Sequence, residues 1–264
     1  MHITIIGCGN MGSGLAQRLS ETNQIHLYDH NHEKANKLEE AGYGKAFDHI
    51  SEALRHSEMV ILAIKPQNLK EAADLIGKNL KENQILVSLL SGTSLEVLKN
   101  FFPKVKIVRM MPNLALIYGK GVIGLTCDSH FPKSDKELLS KSIESLGKLI
   151  WLPESKIDGL TALAGSGPGF FLVMFEAMVE AGIAMGFTPK DAQDLVHQMI
   201  LGSLTLLEKS GKHPAELKWQ ITSPAGTTIA GLKKLEEEAL RGSIINTFLA
   251  CHERAHQLSS LWKP

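Results

Sequence analysis

This sequence predicts an α/β domain followed by an all-helical domain, and three observations predict it. A glycine-spaced loop, Gly7-Cys8-Gly9-Asn10-Met11-Gly12, directly follows a short apolar run. Buried-strand patterns then alternate with helical ones as far as about residue 156. Beyond that point strand signals stop and only helical spacing remains. The expected domains are therefore 1–156 and 157–264.

His2–Ile6 reads as a buried strand that runs straight into the glycine loop. A helical pattern follows through Gly14–Leu19, then a second strand, Ile25–Tyr28, ending on Asp29. Strand, G-x-G-x-x-G loop, helix, strand and terminal acid form the fingerprint of a Rossmann-type dinucleotide-binding domain. Its glycines serve a tight turn, close approach to a pyrophosphate and close helix–strand packing. Gly7, Gly9, Asn10, Met11, Gly12 and Asp29 are thus expected at the cofactor. Cys8 reads as a small filler in the loop. Asp29 suits a ribose 2′-hydroxyl and so NADH, while His30, Asn31, His32 and Lys34 suit a 2′-phosphate and so NADPH. The residues leave that choice open.

The alternation continues with strands at Met59–Ile64, Ile85–Leu90, Lys106–Met110, Val122–Leu125 and Leu149–Leu152. Thr93-Ser94-Leu95-Glu96 reads as a capping box before a short helix. Ligands of open parallel sheets lie beyond the carboxyl ends of strands. Lys65, Pro66, Met111 and Asn113 sit at such ends and are candidates on that ground.

The second half reads as helices over Leu160–Ala164, Phe170–Met185, Lys190–Leu207, Thr228–Leu240 and Ser243–Leu261. Breaks are expected at Gly165–Gly169, Phe187–Pro189 and Gly211–Pro214. Phe170–Met185 is apolar on nearly every face, with Glu176 and Glu180 as a narrow polar stripe. Such a helix is buried or lies in an interface. Within Ile221–Gly231, Pro224 stops one helix and Ala225-Gly226 turns the chain. Thr227 or Thr228 then caps a new helix whose apolar positions are Ile229, Leu232 and Leu235. Hydroxyls and free amides at a helix start suit a small carboxylate.

Composition excludes several partners. The 264 residues carry 28 basic and 28 acidic side chains, so nothing favours nucleic acid or an anionic membrane. The longest charge-free run, Gly159–Phe175, is interrupted by Gly165-Ser166-Gly167-Pro168-Gly169 and reads as a poor membrane span. A strand pattern begins at residue 2 with no basic leader, and Cys8, Cys127 and Cys251 are odd in number and far apart. Both point to free thiols in the cytoplasm. His252-Glu253-Arg254-Ala255-His256 fits H-E-x-x-H, but no third ligand follows it, so no metal is expected.

Taken together, the motifs resemble the pyrroline-5-carboxylate reductase family over essentially the whole chain. They are Gly7–Gly12, Leu62-Ala63-Ile64-Lys65-Pro66-Gln67, Arg109-Met110-Met111-Pro112-Asn113, Ala164-Gly165-Ser166-Gly167-Pro168, and Thr222-Ser223-Pro224-Ala225-Gly226-Thr227-Thr228. The family often has Gly at the position of Ala225, a small polar residue at that of Leu114, and an Asn where His49-Ile50 stand. The resemblance implies an all-helical dimerisation domain after the dinucleotide domain. It implies hydride transfer from NADPH or NADH to the imine carbon of 1-pyrroline-5-carboxylate, giving L-proline. It makes Thr228 the hydrogen-bond partner of the ring nitrogen and gives Ser223, Gly226 and Thr227 the substrate carboxylate. Ala63, Ile64, Lys65, Pro66 and Asn113 would lie along the nicotinamide half of the cofactor. It also implies a homodimer whose active sites are shared between chains, assembled in some members as a decamer of five dimers. Two other readings share the dinucleotide fold. A related imine reductase or β-hydroxyacid dehydrogenase is one, although the latter needs a lysine that Phe170–Gly186 lacks. A non-catalytic dinucleotide sensor is the other.

Overall fold

The computed structural model describes residues 1–260. Two compact units divide it: Met1–Ser166 together with the segment from Cys251 onward, and Gly167–Ala250.

The first unit is an eight-stranded sheet with helices on both faces. Its strands are β1 (His2–Ile6), β2 (Gln24–Tyr28), β3 (Lys45–Ala46), β4 (Met59–Leu62), β5 (Ile85–Ser88), β6 (Lys106–Pro112), β7 (Gly121–Cys127) and β8 (Gly147–Trp151), in the order β3-β2-β1-β4-β5-β6-β7-β8. The intervening helices are α1 (Asn10–Leu19), α2 (His32–Glu40), α3 (Ile50–Leu54), α4 (Leu69–Ile76), α5 (Leu95–Phe101) and α6 (Lys133–Ile143). Alternate strand residues feed two cores, as a period of two demands. Ile3, Ile5 and Ile61 pack with Leu15 and Leu19 of α1 and Leu139 and Ile143 of α6. Ile6, Val60 and Leu62 pack on the other face with Leu69 and Ile76 of α4 and Leu98 of α5.

The sequence does not announce β3, whose two residues are too few for a pattern. The sheet is also mixed: β6 and β7 pair antiparallel, and β8 follows β7. The capping box resolves differently from expectation. Ser94, not Thr93, is the N-cap of α5 and accepts from Val97 N at 3.2 Å. Glu96 therefore sits one position too early to close the box.

The helical stretch begins with α7 (Ile157–Leu160) and continues through a π-helical turn, Thr161–Ser166, into α8 (Gly167–Ala184). The expected break at Gly165–Gly169 is absent. Pro168 lacks an N–H, and the widened turn lets the helix pass it instead of stopping. The helical run Glu154–Ala184 is consequently long and apolar enough, by length and composition, to cross a membrane. The interruption expected within Gly159–Phe175 is therefore absent, the helix passing through it as a π turn.

Next come α9 (Pro189–Ser210), α10 (Pro214–Ile221), α11 (Thr227–Glu237) and α12 (Leu240–Ser260). Thr188 caps α9 by accepting from Asp191 N, and Gly211 ends it in the left-handed conformation. The last break falls at Glu238-Ala239, where Ala239 has φ of 51°, and not after Leu240 as the apolar spacing suggested. Within the first unit the end of α12 is tied down: Ser259 Oγ donates to Asp158 Oδ1 at 2.9 Å. The compact units divide after Ser166, so α7 belongs to the first of them.

The exposed side of α8 carries Phe171, Leu172 and Val173, the last 65% exposed, and among its described residues only Gly167 is buried. Leu201 and Leu204 of α9 are exposed as well. So much uncovered apolar surface marks an interaction face.

Candidate active site

The expected cofactor residues gather at the carboxyl ends of the parallel strands. Strand order reverses between β1 and β4, because the chain moves from β1 outward to β2 and returns on the far side with β4. That switch point is where open α/β sheets hold ligands. Gly7–Gly12 leave β1 there, Ala63–Pro66 leave β4, Asp29 ends β2 and Asn113 ends β6.

The three glycines have separable jobs. Gly7 has φ of +100° and donates its N–H to Tyr28 O at 2.8 Å; a side chain there would strike the Ala63 carbonyl. A side chain at Gly12 would strike the Gly7 carbonyl. Gly9 differs: its φ is −76°, and an added Cβ would meet nothing within 4 Å. The space in front of Gly9 is therefore open, at the N-cap of α1, where first-turn amides have no intrahelical partner. A pyrophosphate fits that cradle by charge and by room. Asn10 is exposed and Met11 half-exposed beside it.

Asp29 is buried, and its carboxylate binds the protein itself. Oδ2 accepts from Cys8 N at 2.7 Å, Oδ1 accepts from Asn31 N at 2.9 Å, and His30 Nδ1 lies 3.1 Å from Oδ1. Asp29 thus braces the glycine loop against the start of α2. Its neighbours His30, His32 and Lys34 are exposed. Burial, with the nearby Asp29 charge adding to it, pushes the Cys8 thiol up to about 12. Cys8 is expected to resist iodoacetamide in the native protein at about pH 8, where the reactive thiolate is absent. Peptide mass spectrometry should find it labelled only after denaturation, whereas the partly exposed Cys251 labels at once and Cys127, whose thiol burial also pushes up, labels more slowly.

Ala63 and Ile64 are half-buried, Lys65 exposed, and Pro66 opens a short 3-10 turn. Asn113 is buried with both amide ends engaged: Val122 N donates to Oδ1 at 3.1 Å, and Nδ2 donates to Ala164 O at 2.9 Å. Sequence reading missed these partners, and it also missed Glu154. Glu154 Oε1 receives Arg109 Nη1 at 2.6 Å and Leu95 N at 2.7 Å, so one carboxylate closes off a buried guanidinium and the start of α5. Only an apolar-looking strand that carries an arginine hinted at such a partner.

The second set of residues lies on the other unit. After α10, Gly226 N donates to Ser223 O at 3.1 Å and turns the chain into α11. The N-cap is Gly226, without a side-chain cap, so the expectation that Thr227 or Thr228 caps the helix is corrected. A side chain at Gly226 would strike Ser223 Oγ, so glycine takes the cap position. The two threonines occupy the first helical positions instead. Among the described residues, neither hydroxyl nor Ser223 Oγ has a hydrogen-bond partner within the chain. Hydroxyls freed from capping, together with first-turn amides, leave an anion site with spare donors. Ala225 is held at φ of 55°, a conformation glycine adopts without cost.

No group of three or more His, Cys, Asp or Glu able to hold a metal occurs among the described residues. His256 Nδ1 instead lies 3.5 Å from Asp158 Oδ2.

Comparison with known proteins bears on both sets. Residues 154–258 match the family model described as pyrroline-5-carboxylate reductase dimerisation, and residues 2–92 match that described as NADP oxidoreductase coenzyme F420-dependent. Pyrroline-5-carboxylate reductase of Aquifex aeolicus is 32% identical over 98% of this chain and 97% of its own length. That of Arabidopsis thaliana is 30% identical over 97% and 95%. Among solved structures, a pyrroline-5-carboxylate reductase from Coxiella burnetii aligns with a TM-score of 0.87 at 28% identity, covering 97% of each chain. A 1-pyrroline-5-carboxylate reductase from Streptococcus pyogenes aligns with 0.88 at 28% identity, covering 97% and 98%.

Proposed function

The chain belongs to the pyrroline-5-carboxylate reductase family, and we propose that its two sets of site residues divide the reaction into cofactor holding and substrate holding. The reaction is reduction of 1-pyrroline-5-carboxylate by NAD(P)H to L-proline, the closing step of proline biosynthesis. The bound dinucleotide supplies the hydride. Gly7, Gly9, Asn10, Met11 and Gly12 hold its pyrophosphate through loop and helix-start amides. Ala63, Ile64, Lys65 and Pro66 flank its nicotinamide half. Because Asp29 is engaged by two backbone amides, we assign the adenosine side to exposed His30, His32 and Lys34, which favours NADPH over NADH.

The observation that carries the substrate half is the uncapped start of α11. Ser223 and the amides of Gly226–Thr228 suit the substrate carboxylate, leaving Thr228 Oγ1 for the ring nitrogen. The imine is electrophilic once its nitrogen is protonated, so the chain's main task is orientation. A threonine hydroxyl at neutral pH is a poor acid, so Thr228 orients the ring or relays a proton from water. A β-hydroxyacid dehydrogenase would need a lysine on the long helix, and α8 has none.

The chain is an oligomer through its dimerisation region. We assign the pairing to the exposed apolar surfaces of α8 and α9, and five such dimers to a decamer in the cytoplasm. Light scattering at ten chains per particle supports that assembly, and two chains reduces it to the dimer. Initial rates with racemic 1-pyrroline-5-carboxylate test the site. Thr228→Val is expected to lower kcat roughly tenfold or more, the loss of one oriented hydrogen bond at about 1.4 kcal/mol per decade. An unchanged kcat removes Thr228 from the mechanism.

A further inference from the structure

The bonds of Asn113 raise a question that cofactor contact does not answer. Its carboxamide joins the start of strand β7, through Val122 N, to a single carbonyl in the helical stretch, that of Ala164. Amide chemistry fixes the orientation, since Val122 offers only an N–H and Ala164 only an oxygen. In an α-helix the Ala164 carbonyl pairs with the N–H of the fourth residue on. That residue is Pro168, which has none. The helix answers by widening to a π turn over Thr161–Ser166, the last turn of the first compact unit. Asn113 supplies a donor to the carbonyl that proline leaves without its α-helical partner.

We propose that Asn113 is a positioning residue for hydride transfer: its side chain clamps the π turn Thr161–Ser166 to the β6–β7 strand ends, in place of the hydrogen bond that Pro168 cannot make. The kinetic consequence rests on the reductase reading given above; the clamp itself does not. A clamp differs from a cofactor contact in what its loss does. Removing a contact weakens NADPH binding. Loosening the clamp misaligns a preorganised site and lowers kcat while leaving the cofactor's grip alone.

Two variants test this. Asn113→Asp keeps the acceptor for Val122 N but, when ionised, has no donor for Ala164 O. Burial and the facing carbonyl raise its pKa, so acid restores an O–H donor in the same place. The full-length variant is expected to bind NADPH, followed by fluorescence, within about twofold of wild type at neutral pH, with kcat down about tenfold. Its kcat relative to wild type should climb as pH falls, and its thermal midpoint should do the same. The group's folded pKa is raised, so the stabilisation exists at low pH and disappears as pH rises through that pKa. The second test needs no activity. Pro168→Ala provides an N–H at the missing position, so the thermal loss caused by Asn113→Ala should be smaller in the Pro168→Ala background than in wild type. Additive thermal losses overturn the clamp, whether or not the enzyme is active. Weakened NADPH binding with no acid recovery in Asn113→Asp returns Asn113 to a direct cofactor role. Wild-type thermal coupling with no turnover of the pyrroline substrate in the unmutated protein would instead count against the reductase reading alone.

Discussion

Gly9→Val is expected to abolish NADPH and NADH binding, by at least about a hundredfold in Kd, roughly 3 kcal/mol, while the chain stays folded. The structural grounds are specific to this glycine. Its φ of −76° suits any residue, and a Cβ there meets no atom of the chain within 4 Å. The added side chain therefore costs the fold little and occupies the room that a pyrophosphate needs beside the start of α1. Gly12→Ala is the contrast: its side chain would strike the Gly7 carbonyl, so that variant should lose stability first and binding as a consequence. Calorimetry with each dinucleotide, alongside a thermal melt, separates the two outcomes. A folded Gly9→Val that binds normally would remove the loop from the cofactor site.

The dinucleotide half of the fold is legible because its signals are local. A strand, a glycine spacing, a helix and a terminal acid all lie within His2–Asp29, and each glycine's task follows from backbone sterics. What could not be read depends on partners distant in sequence. Asp29 reads as a candidate ribose ligand; that its oxygens also accept from Cys8 N and Asn31 N is not legible in the sequence. Asn113 reads as a cofactor candidate at a strand end, yet its carboxamide is engaged by Val122 N and by Ala164 O, fifty-one positions away. The glycines at 165–169 read as a helix break because propensity is counted residue by residue, while a π turn absorbs a proline by changing the hydrogen-bond step. The threonines of α11 illustrate a smaller error of the same kind. Thr227 and Thr228 are good caps in isolation, but Gly226 takes the cap because Ser223 Oγ leaves no room for a side chain there. That displacement leaves both hydroxyls without a partner in the chain among the described residues, which strengthens the case for a ligand at this helix start.

Mixing Gly9→Val and Thr228→Val chains is expected to restore activity that neither has alone. The cofactor residues and the substrate residues sit on different compact units, and the helical unit exposes an apolar surface within the region matching a dimerisation family model. We infer from these that each active site takes its glycine loop from one chain and its Ser223–Thr228 segment from the partner, as the family resemblance implies. In a mixed dimer one site then carries both lesions and the other carries none. After random exchange half of the dimers are mixed, so about a quarter of all sites are intact. Activity should rise to roughly that fraction of wild type, severalfold above the average of the two parents, in which Thr228→Val retains at most about a tenth. Were each site built within one chain, every site would keep one lesion and mixing would change nothing. Subunit exchange must be verified by native mass spectrometry on chains of distinguishable mass. With exchange complete, activity fixed at the parental average would show that each chain closes its own site.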